Sequence, residues 1–223
     1  MPLAPPTVNV EVAAAEIVTT EFQVNSTTTS AQYASSTTAL SDGGFVVTWS
    51  SSGQDGSGSG IYGQRYDSAG ATVGAELQVN TFTDGTQNYS STTALSDGGF
   101  VVTWSSVGQD GSGYGIYGQR FDSAGAAVGA EFQVNSTTAG TQWQSSTTAL
   151  NDGGFVVTWS SIDPIIYSSF SIYGQRFDSA GVAVGAEFQV NSFTTNYQHQ
   201  QSSITALNDG GFVVTWSSDG QDG

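Results

Sequence analysis

The segment GGFVVTWSS occurs four times, with its Phe at positions 45, 100, 155 and 212, so successive copies lie 55, 55 and 57 residues apart. A chain made by copying one unit folds each copy alike and stacks the copies, because a unit of this size cannot bury its apolar faces alone. Two further blocks keep the period. IYGQR runs over 61–65, 116–120 and 172–176, and AE-x-QVN ends at Asn80, Asn135 and Asn191. A lone early copy of the last block, TEFQVN, ends at Asn25. The array therefore occupies 16–223, in units of about 26–80, 81–135, 136–191 and a partial 192–223, after a leader segment at 1–15.

Each unit resolves into four strands. Strand A is SSTTAL (SSITAL in the last copy), small and Thr-rich. Strand B, FVVTWSS, places apolar residues at neighbouring positions, which implies burial on both faces. Strand C is IYGQRF or IYGQRY, and strand D is EFQVN or ELQVN. The A–B link, S/N-D-G-G, is a hairpin signal because Asp and Gly accept positive φ. The C–D link, DSAG-x-x-VG, reads as another turn. Repeated antiparallel four-stranded units with doubly buried middle strands predict an all-β fold of tandem blades, β-propeller in type, as a partial or open ring. Counting from Glu21 gives D, three sets of ABCD, then AB, so the last strand B is expected to expose its edge. Neighbouring repeats of a longer chain, or self-association, would cover it.

Composition removes several function classes. Three basic residues face 19 acidic ones, a formal charge of −16. That field repels phosphate backbones and anionic membrane surfaces, so neither nucleic acid nor membrane is an expected partner. It attracts divalent cations and basic partners. Cysteine is absent, which rules out disulfides and thiolate metal sites. The first residues, MPLAPPTVNVEVAAAE, lack the basic start and apolar run of a signal peptide. No stretch approaches the ~18–20 apolar residues needed to span a bilayer as a helix.

From about Glu16 onward the chain resembles tandem repeats of the DGGFVVTWSS–GQDGSG–IYGQRFD type, found in large secreted bacterial proteins beside calcium-binding RTX modules and adhesin-like domains. The resemblance implies an extracellular or cell-surface location and export without a cleaved N-terminal signal. The nonapeptide GGxGxDxUx is not present in tandem here.

The B–C loop reads SGQDGSGSG at 52–60, VGQDGSGYG at 107–115 and DGQDG at 219–223. Asp55, Asp110 and Asp222 could each give a carboxylate to a calcium ion, with Gly-rich backbone completing an oxygen cage. Alternatively each Asp caps its own turn. In the third copy SIDPIIYSSFS (161–171) stands there, and it either packs on its own blade or offers an apolar patch. Arg65, Arg120 and Arg176 are expected to pair within their blades with Asp67, Asp122 and Asp178. A sialidase-like carboxylate-binding trio is the alternative. SDGGFVVTW is similar to the sialidase box S-x-D-x-G-x-x-W but lacks the residue between Ser and Asp and sets Trp two positions too far. Trp49, Trp104, Trp159 and Trp216 keep the period and are expected in the core. The segment between strands D and A varies between copies and carries Tyr33, Phe82, Tyr89, Trp143, Phe193 and Tyr197. Read as loops, these segments offer Tyr33, Tyr89, Trp143 and Tyr197 as ligand contacts for sugar or peptide. The single histidine, His199, cannot build a His-based metal site.

These features predict a non-catalytic structural or adhesive module of a larger secreted or surface bacterial protein, with calcium as a candidate stabiliser and protein or carbohydrate as candidate partner. A glycan-binding propeller is the alternative. A glycosidase comes third, because repeat-equivalent acids on turns do not obviously place two carboxylates across a cleft, about 5–10 Å apart.

Overall fold

A computed structural model describes residues 9–10, 21–162, 170–192 and 202–218. All regular structure among them is β. The strands are β1 (Asn9–Val10), β2 (Phe22–Gln23), β3 (Gln32–Ala39), β4 (Phe45–Ser52), β5 (Ser59–Tyr66), β6 (Thr72–Gln78), β7 (Gln87–Ala94), β8 (Phe100–Val107), β9 (Tyr114–Phe121) and β10 (Ala127–Gln133). They continue with β11 (Thr141–Ala149), β12 (Phe155–Ile162), β13 (Phe170–Phe177), β14 (Ala183–Gln189), β15 (Ser203–Ala206) and β16 (Phe212–Thr215). β3 to β6, β7 to β10 and β11 to β14 form three four-stranded antiparallel blades, each in sequence order. β15 pairs with β16, and β1 with β2, as two-stranded sheets.

The A–B turn follows from its sequence. Gly43 takes φ +85°, and a Cβ on Gly44 would come within 2.3 Å of the Tyr66 carbonyl. Asp42 Oδ1 accepts the Gly44 N–H at 2.9 Å. Gly99 and Gly154 are equally confined, against the carbonyls of Phe121 and Phe177.

Strand B supplies both of its faces to the core. Val46, with Leu40, Ile61 and Val79, packs forward onto Phe100, Val102, Trp104, Tyr117 and Phe121 of the next blade. Val101, with Leu95, Ile116 and Val134, does the same against Phe155, Val157, Trp159 and Phe177. Successive residues of a strand point to opposite faces, so one run of valines feeds two inter-blade cores. Trp49, Trp104 and Trp159 have no exposed surface. Val24, in the early TEFQVN copy, covers the Val47–Trp49 face of the first blade, the place Val79 takes for the second.

Two strands differ in extent from the sequence reading. Strand D starts at Thr72, Ala127 and Ala183, inside the supposed turn. The turn itself is only Asp67–Ala71 and its equivalents, closed by Asp67 N–H to the Ala71 carbonyl at 2.9 Å. Strand A starts three residues early, at Gln32 and Gln87 in the first two blades, because an irregularity in mid-strand hides its continuity. At the far end, Val213 is 46% exposed, whereas its equivalents Val46, Val101 and Val156 are fully buried.

Candidate functional site

The innermost strands, β3, β7, β11 and β15, lie side by side, tied by hydroxyls across the blade boundaries. Thr48 Oγ1 shares hydrogen bonds with Thr92 Oγ1 at 2.7 Å and Ser90 Oγ at 2.9 Å. Thr103 repeats the pattern with Thr147 and Ser145, and Thr158 with Ser202. Ser36 Oγ accepts the Thr92 N–H and Ser91 Oγ the Thr147 N–H, both at 3.1 Å. These bonds give the Ser/Thr-rich strand A a role: the fully buried hydroxyls of Thr48, Thr103 and Thr158 find their partners on it, across the blade boundary.

β3, β7 and β11 each also carry a bulge. Pairing slips between Tyr33 and Ser36, between Asn88 and Ser91, and between Trp143 and Ser146. The residue at each slip is in the left-handed region: Ala34 at φ +53°, Tyr89 at +55° and Gln144 at +54°. The Tyr89 N–H donates to Ser50 Oγ at 3.2 Å and the Gln144 N–H to Ser105 Oγ at 3.0 Å, so the preceding blade pins the second and third bulges. Bulges re-aim side chains and recur beside functional sites.

Here they line a cavity of about 300 Å³ whose wall is Ala34, Tyr89, Gln144 and the serine pair of each inner strand, from Ser35–Ser36 to Ser202–Ser203. Tyr89 is 37% exposed. Gln144 Oε1 is buried without a hydrogen-bond partner. No carboxylate or cationic side chain contributes to this wall among the described residues. A second hollow, about 410 Å³, lies between the outer strands of the second and third blades. Its polar groups are already engaged: Glu187 holds Ser136, and Asn135 holds the Ile116 N–H and Gln142.

The aromatic candidates therefore divide. Tyr33, Tyr89 and Trp143 lie in strand A and not in loops, which corrects their placement. Only Tyr89 sits at the bulge and meets the cavity. Tyr33 and Trp143 stand one position earlier, where Tyr33 Oη donates to Ser59 Oγ at 3.1 Å and Trp143 stacks on Phe170 with centroids 6.2 Å apart. Phe170 thus packs locally in the divergent third loop. Tyr197, Phe193 and His199 lie outside the described residues, as do Pro164 to Tyr167 and Asp222.

Asp55 and Asp110 sit at the tips of the loops between β4 and β5 and between β8 and β9. Asp55 Oδ1 accepts the Ser57 N–H at 3.1 Å and Asp110 Oδ1 the Ser112 N–H at 3.0 Å, so each does cap its own turn. The other oxygen of each is buried without a partner, as are Gln54 Oε1 and Gln109 Oε1 beside them. Nearby, Gln54 Nε2 donates to Glu76 Oε1 at 2.6 Å. Burial, then the charges of Asp55 and Glu76, push Tyr62 up to about 12. Burial, then Asp110 and Glu131, do the same to Tyr117. No group of three His, Cys, Asp or Glu side chains converges among the described residues.

The expected Arg pairing is corrected. Arg65, Arg120 and Arg176 bind Asp42, Asp97 and Asp152 of the A–B turn. Asp67, Asp122 and Asp178 instead cap their own turns, Asp122 Oδ1 taking the N–H groups of Ala124 and Ala126 at 2.9 and 2.8 Å. Sequence reading also missed the outer clip between blades. Glu76 Oε2 accepts both N–H and Oγ–H of Ser26 at 2.7 Å, and Glu131 holds Thr81 likewise.

No protein-family model and no curated protein matches the chain. Solved structures do. An endo-arabinase from Bacteroides thetaiotaomicron matches at 15% identity and TM-score 0.51, over 85% of this chain and 71% of its own. A protein of unknown function from Dyadobacter fermentans matches at 11% and 0.59, over 85% and 63%. An alpha-L-arabinofuranosidase from Lactobacillus brevis matches at 11% and 0.51, over 82% and 63%. The chain thus spans about two-thirds of the length of these structures. At such identities the likeness is one of fold, and the fold is of β-propeller type.

Proposed function

We propose that this chain is a non-catalytic, adhesive module that binds carbohydrate through the cavity at its inner strands. The single observation that carries the reading is the wall of that cavity: one exposed tyrosine, a glutamine and a row of serine hydroxyls. A saccharide presents alternating hydroxyl edges and apolar C–H faces, and this wall offers a partner to each. Recognition sites of this kind combine an apolar surface with a few placed polar groups.

Glycosidases share the fold, yet a fold hosts many functions and the site decides. Hydrolysis of a glycosidic bond needs two carboxylates about 5–10 Å apart. The described wall offers serine, alanine, tyrosine and glutamine. A secreted or surface location, as part of a larger bacterial protein, rests on the repeat resemblance. On this reading the exposed Val213 face receives a further repeat of the same kind, because Val46 and Val156 are each covered by one.

The test is an array of immobilised glycans probed with the whole chain, alongside release of sugar from arabinan and chromogenic glycosides. Retention on defined glycans without product release is expected. Product release, or no retention on any glycan, would contradict the reading.

A second reading concerns calcium. Two unfilled buried oxygens recur at the same place in two blades, on Gln54 and Asp55 and again on Gln109 and Asp110, each beside a strand-D glutamate. Oxygen donors of this type suit calcium, which takes 6–8 of them. Millimolar calcium should then raise the melting temperature, and magnesium should do less. Asp110→Asn keeps the turn-capping oxygen and should weaken the response. An unmoved melt would end this reading.

A further inference from the structure

We infer that the bulge position of the inner strand, held by Ala34, Tyr89 and Gln144, is the ligand-selecting position of the array, and that its cavity takes a neutral saccharide stacked on Tyr89. This rests on the carbohydrate reading and names the ligand class and its determinants.

The repeats themselves isolate the position. Over 32–40, 87–95 and 142–150, seven of nine residues are the same in all three copies: Gln, then Ser-Ser-Thr-Thr-Ala-Leu after two variable places. Variation is confined to two adjacent positions. The first holds Tyr33, Asn88 and Trp143, and the contacts of Tyr33 and Trp143 are with their own blades. The second holds Ala34, Tyr89 and Gln144, and all three line the cavity. A constant scaffold thus delivers one changeable side chain per blade to one place.

The backbone argues that the side chain there is wanted. A residue with a Cβ in the left-handed region is strained, and it persists only where the surrounding structure holds it. Sixteen glycines among the described residues occupy positive φ, against four residues with a side chain, Ser30 and the three bulge residues. At the bulge the chain uses Ala, Tyr and Gln instead. Serines of the preceding blade hold the Tyr89 and Gln144 amides, which fixes the aim of the side chains before any ligand arrives.

The chemistry of the wall sets the ligand class. Tyr89 gives a ring face for the C–H side of a sugar. Gln144 lines the wall with a side-chain amide, and Ser36, Ser91 and Ser146, whose oxygens accept backbone N–H groups, keep their O–H to donate to ligand hydroxyls. Nothing in the described wall compensates a negative charge. Arg65, Arg120 and Arg176 are bound to turn aspartates and do not line the cavity. The chain's charge of −16 opposes an anion further. Ligand-sized pockets run from about 300 Å³ upward, so a cavity of about 300 Å³ suits one or two sugar rings.

The test compares matched neutral and acidic glycans, the latter carrying sialic or uronic acid, by titration calorimetry on the whole chain and its variants. The expected results are at least tenfold preference for the neutral member, at least tenfold loss with Tyr89→Ala or Gln144→Ala, and little loss with Tyr89→Phe. Tyr33→Phe should bind as the parent does. Tyr89→Ala should keep the parent melting temperature, because the ring is exposed. If glycans bind but Tyr89→Ala keeps full affinity, or acidic glycans win, this inference is overturned while carbohydrate binding stands. If the parent chain binds no glycan, the underlying reading fails and takes this one with it.

Discussion

Arg120 reaches back 23 residues along the chain, and its Nη2 donates to Asp97 Oδ2 at 2.9 Å. Asp97 holds the A–B hairpin with its other oxygen, through the Gly99 N–H at 2.9 Å. One aspartate therefore closes the turn and anchors the guanidinium of strand C. The side chain of Arg120 is 10% exposed and that of Asp97 56% exposed, so water screens one partner. A double-mutant cycle on Arg120 and Asp97 should return a coupling of about 0.5–1 kcal/mol. The same cycle on Arg120 and Asp122 should return none, and coupling there would restore the simpler pairing two residues along the strand.

Trp104 is expected to be a main support of the core between the first and second blades. It is fully buried among Val46, Ile61 and Val102. Trp104→Ala should cost about 3–5 kcal/mol in a denaturant melt, as large aromatic truncations in cores do. A loss below about 1 kcal/mol would contradict the packing.

Ala34→Gly should stabilise the chain slightly. Glycine relieves the left-handed strain at φ +53° but adds freedom to the unfolded chain. The balance is a gain of up to about 1 kcal/mol in chemical denaturation. A clear loss would mean that the methyl group packs better than its lining position implies.

Alkali should act on two buried strand-C tyrosines that face the Asp55 and Asp110 loops. Tyr62 and Tyr117 stand at about 12 in the folded chain, against a usual 10.0. A folded value above the unfolded one contributes stability that is intact below pH 10 and is lost as pH rises from there to about 12. Melting temperature should fall over that window, with phenolate absorbance rising late. Glu76→Gln removes one of the charges that raise Tyr62 and should bring its titration earlier. Titration at the usual value in both would contradict the loop geometry.

Much of the fold could be read from the chain because the repeat states it three times over. The doubly apolar FVVTW run foretold burial on both faces, and the S/N-D-G-G turns foretold the hairpins. The site was less legible. Tyr89 looked like a loop residue because the bulge breaks the period-2 pattern that marks a strand, and a left-handed non-glycine residue carries no sequence signal. The Arg partners were misassigned because same-face spacing along one strand competes with a cross-strand neighbour 23 residues away. The signal that could have found the bulge was present: two variable positions inside an otherwise constant nine-residue block.

The central claim is that carbohydrate sits on the inner-strand cavity, and amide chemical-shift mapping locates it most directly. A neutral saccharide retained on the glycan array would be titrated into the isotopically labelled whole chain. The account predicts shifts centred on Tyr89, Gln144 and the adjoining serines Ser90, Ser91, Ser145 and Ser146, with Gln54 to Ser57 and Gln109 to Ser112 unmoved. Shifts confined to those outer loops, or spread over the blades without a centre at the bulges, would contradict it.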